Sequence, residues 1–213
     1  MRNAMAHAGK TQRRIPGSSP GSSSTEGVGA TAPDRTYPAV LQSILSHCLA
    51  AGAVVTNKGV GGEDADDMMR RIASVIAETP DLVIWQTGSN DALRGVPIDR
   101  FEQETRDGIA EFRDAGIDAM LMEPQLSERL ADTPGSAVYL ASVRSLAQAL
   151  RMPVARRYDL MRQSLAAGDL TRATMMSGDG LHMGDGGYRK LEEVVADAIH
   201  SGSSATAAHV AVR

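Results

Sequence analysis

The run Asp81-Leu82-Val83-Ile84-Trp85-Gln86 constrains this chain more than any other segment. Four consecutive large apolar residues cannot sit on a strand that keeps one face in water. They belong in a sheet covered on both sides, as parallel sheets are. The flanking sequence agrees. Met68, Ile72, Val75 and Ile76 form a helical stripe stopped by Pro80, and Phe101, Thr105, Ile109 and Phe112 form another closed by Gly116. Ala53 to Thr56, ending at Asn57, and Ile117 to Met122, halted at Pro124, read as further strands, with Pro153-Val154-Ala155 as a short one. Leu41, Ile44, Leu45 and Leu49 have helical spacing, as do Val143, Leu146 and Leu150. Leu191, Val194, Val195, Ala198 and Ile199 mark a last amphipathic helix. This alternation predicts an α/β fold, a parallel sheet with helices on both faces.

Composition narrows the function. A formal charge of −4 argues against a general binder of nucleic acid or anionic membranes, and 3% aromatic content leaves little for base stacking. No apolar run approaches the roughly 20 residues of a membrane helix. A single cysteine, Cys48, excludes an intramolecular disulfide framework and multi-cysteine zinc sites. Cys48 lies on the helix of Leu45 and Leu49 and reads as a buried structural thiol.

Residues 1–36 differ from the rest, with five glycines, three prolines and the serines Ser18, Ser19, Ser22, Ser23 and Ser24 against only Ile15 and Val28 as branched aliphatics. Such a composition is expected to be disordered. No hydrophobic segment follows Arg2, Lys10, Arg13 and Arg14, so no secretory signal is expected and the default expectation is a cytoplasmic location, with the natural start open to misassignment. Ser201 to Arg213 is small and polar and reads as a tail.

In doubly wound sheets, function gathers beyond the carboxyl ends of the strands. Three loops there are rich in Gly and polar residues: Asn57 to Glu63, Thr87 to Asp91, and Asp179-Gly180-Leu181-His182. A carboxylate three residues before a histidine can accept the Nδ1–H and leave Nε2 as a general base. The plainer alternative is a capping Asp and a solvated His, although Asp185, before Gly186-Gly187-Tyr188, suits the cap. Asn90 can donate to a developing oxyanion or cap a turn. Gly59-Val60-Gly61-Gly62 lacks the dinucleotide fingerprint. Glu63, Asp64, Asp66 and Asp67 lack the Gly and terminal Glu of a calcium loop and read as favourable charge at a helix start.

Taken in order, Gly21-Ser22-Ser23-Ser24-Thr25, Asn57 to Gly62, Gly88 to Asp91 and Asp179 to His182 resemble the four blocks of the SGNH/GDSL hydrolase family. The resemblance implies a three-layer α/β/α sandwich of flavodoxin type and a serine esterase or thioesterase of small esters that needs no cofactor or metal. It implies Ser23 as nucleophile, His182 as base and Asp179 as its orienter, with the Gly62 N–H, the Asn90 side chain and the Ser23 N–H as oxyanion hole. It also divides the chain into a leader (1–20), a hydrolase-like domain (21–200) and a tail (201–213).

The first block departs from the family pattern. Ser22 stands in the aspartate position, and Gln12 to Pro20, with Pro16 and Pro20 and one aliphatic residue, makes a poor strand. The expectation is therefore that the first strand is missing or degraded, which would expose Val54 and Val83. The alternative function is a catalytically inactive relative that keeps the pocket as a binding module.

Overall fold

The computed structural model describes residues 15–48, 52–191, 195 and 199. In chain order its elements begin with β1 (Ile15–Gly21), α1 (Ser23–Glu26), a 3-10 turn (Pro33–Arg35), α2 (Tyr37–Cys48) and β2 (Ala53–Gly59). Next come α3 (Ala65–Met69), α4 (Ile72–Ile76), β3 (Leu82–Gln86), α5 (Ser89–Arg94), α6 (Ile98–Asp114) and β4 (Asp118–Met122). α7 (Glu128–Ala131), α8 (Ser136–Ala149), β5 (Val154–Ala155), α9 (Arg157–Ala167) and α10 (Arg172–Met175) follow. A last helix, α11, starts at residue 185 and covers 185–191, with 195 and 199 also helical.

The strands form one parallel sheet in the order β2-β1-β3-β4-β5. The alternation of apolar runs predicted this architecture because β3 sends Val83 and Trp85 to one face and Ile84 to the other. On the first face they join Ile72, Val75, Phe101, Ile109, Phe112, Val143 and Leu146. On the second, Ile84 joins Tyr37, Leu41, Met120, Met122, Met161, Tyr188, Leu191, Val195 and Ile199. The single stripe expected over Met68 to Ile76 is split into α3 and α4. Leu49, Val194, Ala198 and the Cys48 side chain lie outside the described residues, as do residues 1–14 and the tail from 201.

The expectation for the first strand is corrected. Residues 15–20, assigned by composition to a leader, form most of β1, which lies between β2 and β3 and pairs with β2 along its whole length, from Ile15↔Ala53 to Gly21↔Gly59. Two features make this sequence a workable strand. In a parallel strand, alternate residues turn their backbone groups to alternate neighbours. The Val60 N–H donates to the Gly21 carbonyl at 2.9 Å, so odd-numbered residues face β2. Pro16 and Pro20 therefore turn their missing N–H towards β3, where pairing is limited to Gly17↔Leu82 and Ser18↔Val83. Second, one of its two buried serines is well bonded, although the Ser18 hydroxyl has no partner among the described residues. Ser19, fully buried, hydrogen-bonds the Tyr37 hydroxyl and donates to the Ile84 carbonyl at 3.4 Å. Val83 is fully covered as a result, whereas Val54, on the edge strand β2, stays exposed.

Helix α6 approaches the sheet closely because Gly108 has no side chain. A methyl group there would come within 2.5 Å of two Trp85 ring carbons and 2.8 Å of Met69 Sδ. Trp85 cannot retreat, since Phe112 stacks edge-on at 5.9 Å and Met68 Sδ accepts its indole N–H at 2.9 Å. Overpacking of this kind costs about 1–3 kcal/mol, against about 1 kcal/mol of helix propensity gained. Gly108→Ala is accordingly expected to lower the urea midpoint of unfolding, and a raised midpoint would contradict the packing.

Candidate active site

At the end of β1 the chain turns sharply at Gly21, where a methyl group would sit 2.2 Å from Thr25 Oγ1. The turn delivers Ser23 to the first position of α1. Ser22 precedes it and donates through both its N–H (3.0 Å) and its hydroxyl (2.9 Å) to Gln86 Oε1, at the end of β3. The residue in the family's aspartate position is thus a small hydroxyl that ties the turn to the next strand.

Ser23 and His182 lie 159 residues apart in sequence, yet Ser23 Oγ is 2.7 Å from His182 Nε2. The Nδ1 of His182 meets Asp179 Oδ2, so serine, histidine and aspartate stand in one hydrogen-bonded row. Asp179 is held by its own loop. Its Oδ1 accepts from the His182 N–H (2.9 Å), the Leu181 N–H (2.9 Å) and the Ser177 hydroxyl (2.7 Å). Partial burial pushes its pKa upward, but the bonds from the His182 ring and backbone, Ser177 and Leu181 outweigh that and hold it far below the usual carboxylate range. The loop is closed at its neck by a Met176–Met183 bridge and braced by Gly29. A side chain on Gly29 would strike the Met183 carbonyl at 2.2 Å.

Of the three expected oxyanion donors, Asn90 and Gly62 are linked through the loop that holds Glu63. Asn90, on the first turn of α5, gives one Nδ2 hydrogen to the Glu63 carbonyl at 2.8 Å, which ties α5 to the loop holding Gly62. Gly62 takes φ +82°, a conformation open to glycine. Among the described residues no protein acceptor takes the backbone N–H of Ser23 or of Gly62. The neighbouring Gly61 is close to Ser23, since a methyl group built there would lie 3.8 Å from Ser23 Cβ and 2.7 Å from Glu26 Oε2. Asn57 fastens the loop to α1, with its Nδ2 donating to the Glu26 carbonyl at 3.2 Å.

Asp91 joins the two loops from beneath. Its Oδ1 accepts from Ala65 N–H and its Oδ2 from Gly88 N–H, both at 3.0 Å. Burial pushes its pKa up to about 6, against the pull of these N–H groups. The acidic run reads as expected: Asp64 caps α3, and Arg94 pairs with Asp64 and Asp67. Asp185 differs from expectation. Its carboxylate accepts from the Thr31 N–H, the Thr31 hydroxyl and Arg35, which lower its pKa, so it fastens the 31–35 turn to α11. Sequence reading missed Gln86, Gln125 and Arg157, the buried polar groups around this site. None belongs to a motif, and their signal is only that polar residues follow apolar strands.

A parallel three-layer sandwich with this row beyond its strand ends is the arrangement of the SGNH-type hydrolases. The chain belongs to the non-GDSL lipase-like family, whose model matches residues 3–200. It is 26% identical over 105 residues to an arylesterase of Vibrio mimicus, a match covering 46% of this chain and about half (52%) of that relative. Among solved structures it is similar to an acetyl xylan esterase of Geobacillus stearothermophilus, at TM-score 0.73 and 20% identity over 89% of this chain and 97% of that one. It is also similar to a lipolytic G-D-S-L family protein of Veillonella parvula, at TM-score 0.70 and 17% identity over 86% and 97% of the two chains. The family is one of lipase-like hydrolases, and the structural likenesses show the shared fold.

The buried carboxylate gives the fold a pH signature. Below about pH 4, Asp91 is protonated in both states; between there and about 6 only the unfolded chain ionises it. Its contribution to stability is therefore present at low pH and lost as the pH rises through about 6. Asp91→Asn removes that loss, so the variant's stability relative to the parent is expected to improve between pH 4 and 7 in urea titrations. A pH-independent difference would show that Asp91 is not buried as described.

Proposed function

We propose that the chain is a serine esterase acting on small esters or thioesters through an acyl-enzyme. The observation that carries this reading is the 2.7 Å contact between Ser23 Oγ and His182 Nε2, with Asp179 on the other ring nitrogen. His182 takes the hydroxyl proton as Ser23 Oγ bonds to the acyl carbon. The carbonyl electron pair moves onto oxygen and is met by the N–H groups of Ser23 and Gly62 and the remaining Asn90 amide hydrogen. Collapse of the tetrahedral intermediate breaks the bond to the leaving alcohol or thiol, which receives the proton from His182. Water then repeats the sequence: His182 accepts its proton, the acid departs and Ser23 is restored. Asp179, ionised at any working pH, fixes the tautomer and stabilises the imidazolium.

Two cavities are lined by the loops that carry Asn90 and Asp179, without Ser23 or His182 in their walls. One, of about 170 Å³, is lined by Gly88, Leu126, Leu130 and Leu140 together with Gln125 and Ser127 and has room for a short acyl group. The other, of about 350 Å³, reaches Gly178 and Gly180 on either side of Asp179 and carries Glu128 and Arg172, which suit a polar group. A small acyl group also fits the acetyl xylan esterase named among the similar proteins. The reading as a silent binding module depended on an unsupported serine, and the seat of Ser23 at the end of a paired strand speaks against it.

Hydrolysis of p-nitrophenyl acetate by the full chain tests this proposal. Ser23→Ala and His182→Ala are each expected to remove at least about 10³-fold of kcat, and Asn90→Ala about 10²-fold through one lost oxyanion donor. Variants that fold and retain the parent rate would overturn the assignment.

A further inference from the structure

Gln125 lies just beyond β4, buried, between the loop that carries His182 and the helix that carries Asn90. Its Nε2 donates to the Leu181 carbonyl at 3.1 Å, one residue before His182. Its Oε1 accepts from the Ser89 hydroxyl at 2.9 Å, one residue before Asn90. The same oxygen accepts from Arg157 Nη2 at 2.8 Å. One amide thus touches both halves of the proposed machinery at adjacent residues.

An amide in such a place could face either way, but Arg157 decides it. A guanidinium has donors only, so the group opposite it must be the oxygen. The Nε2 is then left for the Leu181 carbonyl. Arg157 is itself fixed, with no exposed surface and with its Nε donating to the Glu123 carbonyl at 2.8 Å. Among the described residues no carboxylate bonds it and its Nη1 has no partner, since Glu123 Oε1 takes Arg144 instead. Burial lowers its pKa to about 10, opposed by Tyr188, Tyr37 and Glu123, which leaves it charged at neutral pH. A cation buried without an ion pair among the described residues is costly, and an apolar side chain of its size would often serve packing as well or better.

We propose that Gln125 is a positioning residue that couples the His182 loop to the Asn90 helix, and that Arg157 sets its amide in the orientation this requires. The inference rests on the esterase reading. It adds that base and oxyanion donors are held in register through a buried amide, where displacements below 1 Å alter rates steeply.

Gln125→Glu separates positioning from stability. The carboxylate keeps the acceptor facing Ser89 and Arg157 and gives the buried cation an ion pair, so the fold should be retained with an equal or higher Tm. It loses the donor to Leu181 and sets an oxygen against that carbonyl. With p-nitrophenyl acetate, kcat is expected to fall at least 10-fold while KM changes less than threefold. The downfield proton resonance of the His182 Nδ1–H should shift or broaden, which a purely structural role would not produce. Arg157→Met, which frees the amide to turn, should show the same split to a smaller degree and remains informative if the first variant fails to fold. Either variant, folded, with kcat within twofold of the parent and an unmoved His182 resonance overturns the coupling. A parent chain without activity on any ester overturns the esterase reading itself and this inference with it.

Discussion

The reach from Ser23 to His182 depends on where β1 lies. Only a strand inside the sheet, with β2 on one side and β3 on the other, ends at the point where the loops after β2, β3 and α10 converge. The turn at Gly21 then places Ser23 at the head of α1, and the Ser22 bonds to Gln86 hold the turn against β3. The contact between Ser23 and His182 follows from that placement. So do the approach of Gly61 to Ser23 and of Gly29 to the His182 loop, the second of which requires glycine for space.

Much of this was legible in the sequence because burial on two faces leaves a simple record. The apolar run 82–85 and the helical stripes around Phe101, Leu146 and Leu191 gave the parallel sheet and its flanking helices without any motif. The loops with Asn90, Asp179 and His182 were legible for another reason: short-range hydrogen bonds, such as Asp179 to its own His182, need a fixed spacing. β1 was illegible. Its residues, Ile-Pro-Gly-Ser-Ser-Pro-Gly, carry almost none of the aliphatic bulk by which strands are recognised. A small-residue strand can still be central when large neighbours fill the space. Here Tyr37 reaches Ser19, and the prolines turn towards the side where pairing is sparse.

The polar groups around the site were illegible for a related reason. Gln86, Gln125 and Arg157 act through partners 32 to 64 residues away in sequence, so no local pattern announces them. Their common property is burial with specific bonds, which only the tertiary fold creates. They form a polar layer between the apolar sheet and the surface loops. Such layers are costly to build, and they fix orientation where apolar contacts alone would permit sliding.

The central claim is that Ser23 is an activated nucleophile, and a fluorophosphonate reports that directly because it reacts with serines that have a base and an oxyanion hole. Incubation of the folded chain followed by peptide mass mapping is predicted to find the phosphonyl adduct on Ser23, and to find none when His182 is replaced by alanine. Folded protein that takes no label, or takes it on Ser22 or Ser24, would contradict the account.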